Sequence, residues 1–326
     1  SSHWLLAWMG LEINTLAIIP LMAQNHHPRA IEATTKYFLT QATAAATLLF
    51  ASVTNAWLTG QWDISLMTHP LPTTMIILAL PLKLGLAPLH TWLPEVLQGL
   101  TLTTGLILST WQKLAPFILL LQIPCPSQEL LIILGLMSTL IGGWGGLNQT
   151  QLRKILAYSS IAHLGWMLLI IQFAPTLTLL ALTMYLVMTT ATFLTLKNNK
   201  ATNINALATS WAKAPLITAT TPLLLLSLGG LPPMTGFLPK WLILQELTKQ
   251  QLPMTAVLAA LTALLSLYFY LRLCYAMTLT MPPNNLANSS LWRLPTISPS
   301  LLLATSTLAA ILLLPLAPTI MTLMHL

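Results

Sequence analysis

The sequence predicts an all-α polytopic membrane protein with about ten transmembrane helices, two of them broken, and three observations carry that prediction. First, the 326 residues are 56% hydrophobic and only 6% charged, whereas soluble domains average about 25% charged. So little charge cannot clothe a water-exposed surface. Second, apolar runs of about 20 residues follow one another along the chain, each enough to cross a hydrocarbon core of roughly 30 Å as a helix. Third, Lys and Arg collect on alternate loops. A β-barrel would alternate in segments of about 10 residues, and a secretory signal would be one short apolar stretch ahead of a polar body. The sequence has neither pattern.

Loops rich in Pro, Asn, Gln and charge bound the spans. The spans run near 3–21, 37–57, 71–93, 101–121, 129–146, 155–173, 176–196, 214–247, 254–276 and 299–322. The third is interrupted by Pro81, Gly85 and Pro88. The eighth is too long for one straight helix. Its Leu228-Gly229-Gly230-Leu231-Pro232-Pro233, followed by Gly236 and Pro239, predicts two half-helices joined by an unwound stretch.

This arrangement sorts the loop charges. Arg29, Lys36, Arg153, Lys154, Lys197, Lys200, Lys213, Arg272 and Arg293 fall on one side, and Asp63, Glu129, Glu246 and Lys249 on the other. The bias assigns the basic side to the cytoplasm or its mitochondrial equivalent, the matrix. The net charge of +7 therefore reports topology rather than a nucleic-acid partner. The chain opens Ser1-Ser2-His3 without an initiator methionine and the first span starts at once, which raises the expectation of a further helix upstream.

Several chemistries are excluded by pattern. Cys125 and Cys274 are far apart at span edges, which supports neither a disulfide framework nor a thiolate metal site. His26 and His27 form the one tight His pair, in a polar loop beside Pro28 without an acidic or Cys partner in register, and read as solvated. No phosphate-binding glycine loop, GxGxxG or basic aromatic surface occurs. The expectation is a chain with no metal and no nucleotide, flavin or iron–sulfur cofactor of its own.

Four charges remain that no loop can claim: Glu12, Lys83, Lys113 and Lys240. Each costs about 2.5–3.5 kcal/mol at a helix centre on insertion scales, so such residues mark function by default. Lys113 follows Thr101 by 12 residues, which at 1.5 Å per residue is about 18 Å of depth. That is beyond the reach of a snorkelling side chain. Lys240 follows the break at Pro239, which leaves a place nearer the surface open.

Lysine suits ion movement because desolvation disfavours the ammonium form. A carboxylate at about 4 Å opposes this by roughly 4 kcal/mol at an effective dielectric of 20. Separating Glu12 from Lys83 would then free the lysine to release its proton, a relay of two residues; the alternative is that such groups merely pin helices together. Broken helices at corresponding positions of two halves point to a midplane ion site. Here Pro81-Leu82-Lys83-Leu84-Gly85 lies in one half and Pro232-Pro233 through Pro239-Lys240 in the other, each with its own lysine. His163, within Ala157-Tyr158-Ser159-Ser160-Ile161-Ala162-His163, sits among hydroxyls at helical spacing. It either extends a hydrogen-bonded chain across the middle or packs as a satisfied histidine. His90 and Glu95, flanking Trp92-Leu93-Pro94, read as interfacial anchors. The proton-transfer set is Glu12, Lys83, Lys113, His163 and Lys240.

Four stretches carry a resemblance: Trp8-Met9-Gly10-Leu11-Glu12-Ile13-Asn14, Leu82-Lys83 through Trp92-Leu93-Pro94-Glu95, Leu152-Arg153-Lys154 through His163, and Gly229-Gly230-Leu231-Pro232-Pro233 with Gly236-Phe237 and Lys240. Over essentially its whole length the chain resembles the antiporter-like membrane subunits of respiratory complex I. The resemblance implies two inverted five-helix repeats, an incomplete first one at 1–122 and a second at 127–278, with a C-terminal helix at 299–324. It implies that Lys83, Lys113 and Lys240 form a hydrated polar axis along the membrane plane, with Glu12 paired to Lys83.

It also implies a subunit of NADH:ubiquinone reductase with no redox site of its own, through which quinone reduction elsewhere drives protons. NADH, FMN, iron–sulfur clusters and ubiquinone would belong to the rest of the assembly. The partners would be other membrane subunits and lipid such as cardiolipin, and the location the mitochondrial inner membrane. Bacterial relatives have three further N-terminal helices, and Lys240 stands where the family has lysine or glutamate. A free-standing sodium/proton or potassium/proton antiporter shares the ancestral fold, but sodium sites favour several oxygen ligands and the chain offers one clear buried carboxylate. A structural membrane subunit that pumps nothing stays open.

Overall fold

In hydrocarbon every backbone N–H and C=O needs an internal partner, which leaves the helix as the way for so apolar a chain to cross. A computed structural model describes residues 2–24, 26–67, 69–124, 128–212, 214–279, 301–319 and 322, and its elements are helical apart from two isolated bridges. Cys125, Lys213 and Arg293 lie outside the described residues. The helices are α1 (Trp4–Met22), α2 (Pro28–Thr59), α3 (Pro70–Leu84), α4 (Trp92–Gly99), α5 (Leu102–Gln122), α6 (Gln128–Gly146) and α7 (Leu152–Ile170). They continue with α8 (Pro175–Asn198), α9 (Ile204–Ala208), α10 (Pro215–Gly229), α11 (Phe237–Lys249), α12 (Pro253–Thr278) and α13 (Leu301–Leu312). Among the described residues six helices are long and apolar enough to cross a membrane alone, and α3, α10 and α13 are shorter apolar helices. The chain is a multi-pass membrane protein.

The abundant Thr and Ser are buried without disturbing this plan because their hydroxyls bond carbonyls of their own helix. Thr15, Ser138, Ser159 and Ser160, for example, donate to the carbonyls of Glu12, Gly135, Leu156 and Ala157. Around the outside, Ile13, Leu39, Phe50, Trp57, Trp111 and Trp144 are exposed, as lipid-facing side chains are. Helix α7 is buried along most of its length. Helix α6 lies close against it through small residues: a Cβ at Gly142 would stand 2.7 Å from the backbone nitrogen of Ala162, the kind of contact that lets membrane helices approach.

Side chains and backbone tie the loops together at both ends of the bundle. At one end Lys36 binds Glu95 at 2.7 Å, Arg153 donates to the Leu100 carbonyl, and Arg272 donates to the Leu147 carbonyl at 2.7 Å. At the other end the backbone around His3 forms an isolated antiparallel bridge with that around Asp63.

The structure departs from the expected boundaries in four places. Helix α2 begins at Pro28, not near 37, because Pro28 pre-sets the first turn, the His27 ring caps Arg29, and the Glu32–Lys36 pair carries the helix through its polar start. The third span splits fully into α3 and α4 and runs on to Gly99. A short α9 and a following 3₁₀ turn, Thr209–Ala212, occupy what read as loop. The C-terminal helix is interrupted after Leu312 by a 3₁₀ turn, Leu314–Leu316, since Pro315 cannot donate a helical N–H and its ring crowds the preceding turn, and residues 317–319 are helical again.

Candidate functional site

Two helix breaks frame the site. Helix α3 ends at Gly85, φ +78°, and α10 ends at Gly230, φ +78°, a left-handed conformation that glycine adopts without a Cβ penalty. Each break frees carbonyls at the negative end of a helix dipole. In the first break the Trp92 indole N–H donates to the Leu82 carbonyl at 3.1 Å, and the Gln41 amide to the Lys83 carbonyl at 3.4 Å. In the second the donor is Lys240 itself: its Nζ lies 2.7 Å from the Gly229 carbonyl. Its stem runs over Gly230, where a Cβ would come within 2.8 Å of the lysine Cδ. Lys240 is 9% exposed, so it belongs to the interior and not to a surface.

Lys83 has no hydrogen-bond partner at Nζ although it is only 6% exposed. The expected Glu12–Lys83 ion pair is not formed, and Oε2 of Glu12 is likewise buried without a partner. The reason lies in the packing, which puts α1 against α2 and α5, and α3 against the same two helices. Glu12 lies within electrostatic reach of Lys83 without touching it. What Lys83 does meet is an internal cavity of about 20 Å³ where α1 to α5 converge, lined also by Asn14, Gln41, Gln112 and Lys113. Asn14 and Gln112 bond each other across α1 and α5, Nδ2 to Oε1 at 2.9 Å.

Lys113, 3% exposed, lines the same cavity. Its Nζ donates to the Tyr185 hydroxyl at 3.1 Å. The His163 ring packs on Tyr185 with centroids 5.7 Å apart, bonds the backbone of Leu228, and lies within electrostatic reach of both Lys113 and Lys240. His163 and Lys240 thus hold neighbouring residues, Leu228 and Gly229, at the end of α10.

The sequence-derived residues are therefore brought together as a row: Lys83, cavity, Lys113, Tyr185, His163, Lys240. Glu12 stands beside its head without touching it. His90 and Glu95 stand apart: the His90 Nδ1 faces the Pro88 carbonyl at 3.2 Å and Glu95 holds Lys36 at the surface. Tyr185, Trp92 and Gln41 were not anticipated, because an aromatic residue in an apolar helix reads as packing and a lone glutamine as a tolerated polar residue. Among the described residues no three His, Cys, Asp or Glu side chains converge on a metal-sized site. Cys274 is buried with its Sγ donating to the Pro222 carbonyl.

This geometry can be set beside known proteins. A family model described as the membrane part of NADH:quinone oxidoreductase and Mrp antiporters matches residues 1–266, and one described as the NADH dehydrogenase subunit 2 C-terminus matches residues 267–321. A curated relative from Tetraodon nigroviridis, called NADH-ubiquinone oxidoreductase chain 2, is 75% identical over 325 residues, covering 100% of this chain and 93% of its own length. One from Salmo salar with the same name is 70% identical, covering 100% and 94%. A chain in the structure of respiratory complex I from Thermus thermophilus with bound aureothin aligns with TM-score 0.81 at 30% identity, over 97% of this chain and 75% of that one.

Proposed function

Because the chain belongs to the membrane family of NADH:quinone oxidoreductases and Mrp antiporters, we propose that Glu12, Lys83, Lys113, His163 and Lys240 are the residues through which it moves protons. The chain is a membrane subunit of NADH:ubiquinone oxidoreductase, and its work is proton translocation. The observation that carries the residue assignment is the shared cavity: Lys83 and Lys113, two deeply buried lysines, face one polar space with no ion pair to tie either down. Desolvation disfavours an ammonium that has no carboxylate partner. Proton release from Lys83 and uptake at Lys113 are then linked through the cavity that both line, with Glu12 near Lys83. His163 and Lys240, bonded to adjacent residues of α10, continue the row across the second break.

The remaining assignments follow from this reading. The two halves, 1–122 and 127–278, act as inverted repeats, each with its helix broken at a left-handed glycine. NADH oxidation, FMN, the iron–sulfur clusters and ubiquinone reduction belong to other subunits, whose work drives this one. The neighbours are other membrane subunits of the complex. The location is the mitochondrial inner membrane, with the basic loops in the matrix and cardiolipin phosphates beside them.

The test is proton pumping by the assembled complex in membranes, read as the proton-to-electron ratio. Lys83→Met and Lys113→Met should each abolish or uncouple pumping while NADH oxidation by an artificial acceptor continues. A normal ratio in both variants would overturn the assignment.

A further inference from the structure

Lys113 has no carboxylate beside it, yet its ammonium is not loose. Tyr185, on α8, is fully buried at 0% exposure and meets Lys113 in two ways. Its hydroxyl accepts the Nζ hydrogen bond at 3.1 Å, and its ring lies 5.1 Å below the same nitrogen, within the range of a cation–π contact. The hydroxyl has one proton to give, and gives it to the Ser109 carbonyl at 3.1 Å. Ser109 lies on α5, the helix that bears Lys113, one turn before it. A phenol whose proton is committed to a carbonyl presents only lone pairs elsewhere. The same ring also packs against His163, with centroids 5.7 Å apart.

We propose that Tyr185 is a positioning residue for proton transfer, holding the Lys113 ammonium on the His163 side of the row and away from Lys83. The inference rests on the functional reading of Lys113 above and adds a residue which that reading does not require. The geometry gives it its direction. Lys113 has two polar surroundings, the cavity shared with Lys83 and the Tyr185 hydroxyl. Without the hydroxyl only the cavity is left, and the ammonium would fall back toward another positive charge. With it, the lysine is anchored where its proton can pass toward the second break. Because the Ser109 carbonyl takes the phenol proton, the hydroxyl presents a lone pair to the ammonium from α8, outside the cavity lining.

The experiment uses the assembled respiratory complex in its membrane, with pumping and ubiquinone-coupled NADH oxidation measured across a pH series. Tyr185→Phe removes the hydroxyl and keeps the ring. It should lower coupled turnover about tenfold, the scale of one hydrogen bond to a charged group, and displace the pH profile, with artificial-acceptor NADH oxidation unchanged. Tyr185→His, which restores a hydrogen-bonding head group, should recover part of the rate and return the profile toward the parent. It also serves as the informative variant if Tyr185→Phe does not assemble. Full turnover in Tyr185→Phe, or a uniform loss with an undisplaced profile in the variants that assemble, would overturn the proposal. Lys113→Met in the same assay separates the two levels. If it pumps normally, the reading of Lys113 itself fails; if it is inactive while Tyr185→Phe is normal, only the role given to Tyr185 fails.

Discussion

Lys83 and Lys240 each stand beside a helix break, Lys83 in the last turn before one and Lys240 in the first turn of the half-helix after the other, and only the second break depends on its lysine. Lys240 satisfies the Gly229 carbonyl with its own ammonium, whereas at the first break Trp92 and Gln41 do that work and leave the Lys83 Nζ unbonded. Removing an unpaired buried charge relieves a desolvation penalty, while removing one half of a bonded pair orphans the other. Lys83→Met should therefore leave the complex as heat-stable as the parent or more so, although inactive in pumping. Lys240→Met should lower stability by about 1–3 kcal/mol, the usual penalty of an unsatisfied buried acceptor. Thermal inactivation of the solubilised complex, followed by native gel, measures both. Equal losses in the two variants would contradict the asymmetry.

At the scale of the element, each break is a helix C-terminus held in shape by a left-handed glycine. At Gly230 a side chain meets two obstacles at once: the φ of +78° disfavours any L-residue, and the Lys240 Cδ would stand 2.8 Å from the new Cβ. Gly230→Ala should destabilise by roughly 1–3 kcal/mol through the backbone alone. It should also displace the lysine, so pumping would fall further than in a variant with the same loss of heat stability elsewhere. Gly10, with nothing within 4 Å of its would-be Cβ, supplies the comparison: Gly10→Ala should leave both properties near the parent. Comparable behaviour of the two variants would show that the break tolerates a side chain.

Over the whole molecule, the helical membrane-spanning class and the two breaks were legible because both depend on local pattern: apolar length for the one, Pro and Gly clusters for the other. The buried lysines were legible for the same reason, as charges where the pattern forbids charge. What escaped was set by partners distant in sequence. Tyr185 and Lys113 are 72 residues apart, and nothing around either announces the other. The unformed Glu12–Lys83 pair escaped too, since the position of α2 between their helices is a fact of packing. The polar start of α2 was read as loop because Arg29 and Lys36 were counted as loop charges, and the Glu32–Lys36 pair that supports the helix was not weighed.

Sidedness is a property of this scale. Cysteines placed at Lys200 and Gln250, both exposed, in a background without native thiols, should be labelled by an impermeant reagent from opposite faces of the membrane, Lys200→Cys from the matrix. Labelling of both from one face would overturn the topology. The space between Lys83 and Lys113, at about 20 Å³, has room for about one water molecule. If protons take the route proposed above, a compartment of that capacity would work as a turnstile and not as a pipe, passing one particle at a time and turning away a hydrated sodium ion on size alone. It is also easily jammed: Thr15→Leu, on its wall, should stop pumping while NADH oxidation by an artificial acceptor continues, and unchanged pumping in that variant would mean the traffic goes another way.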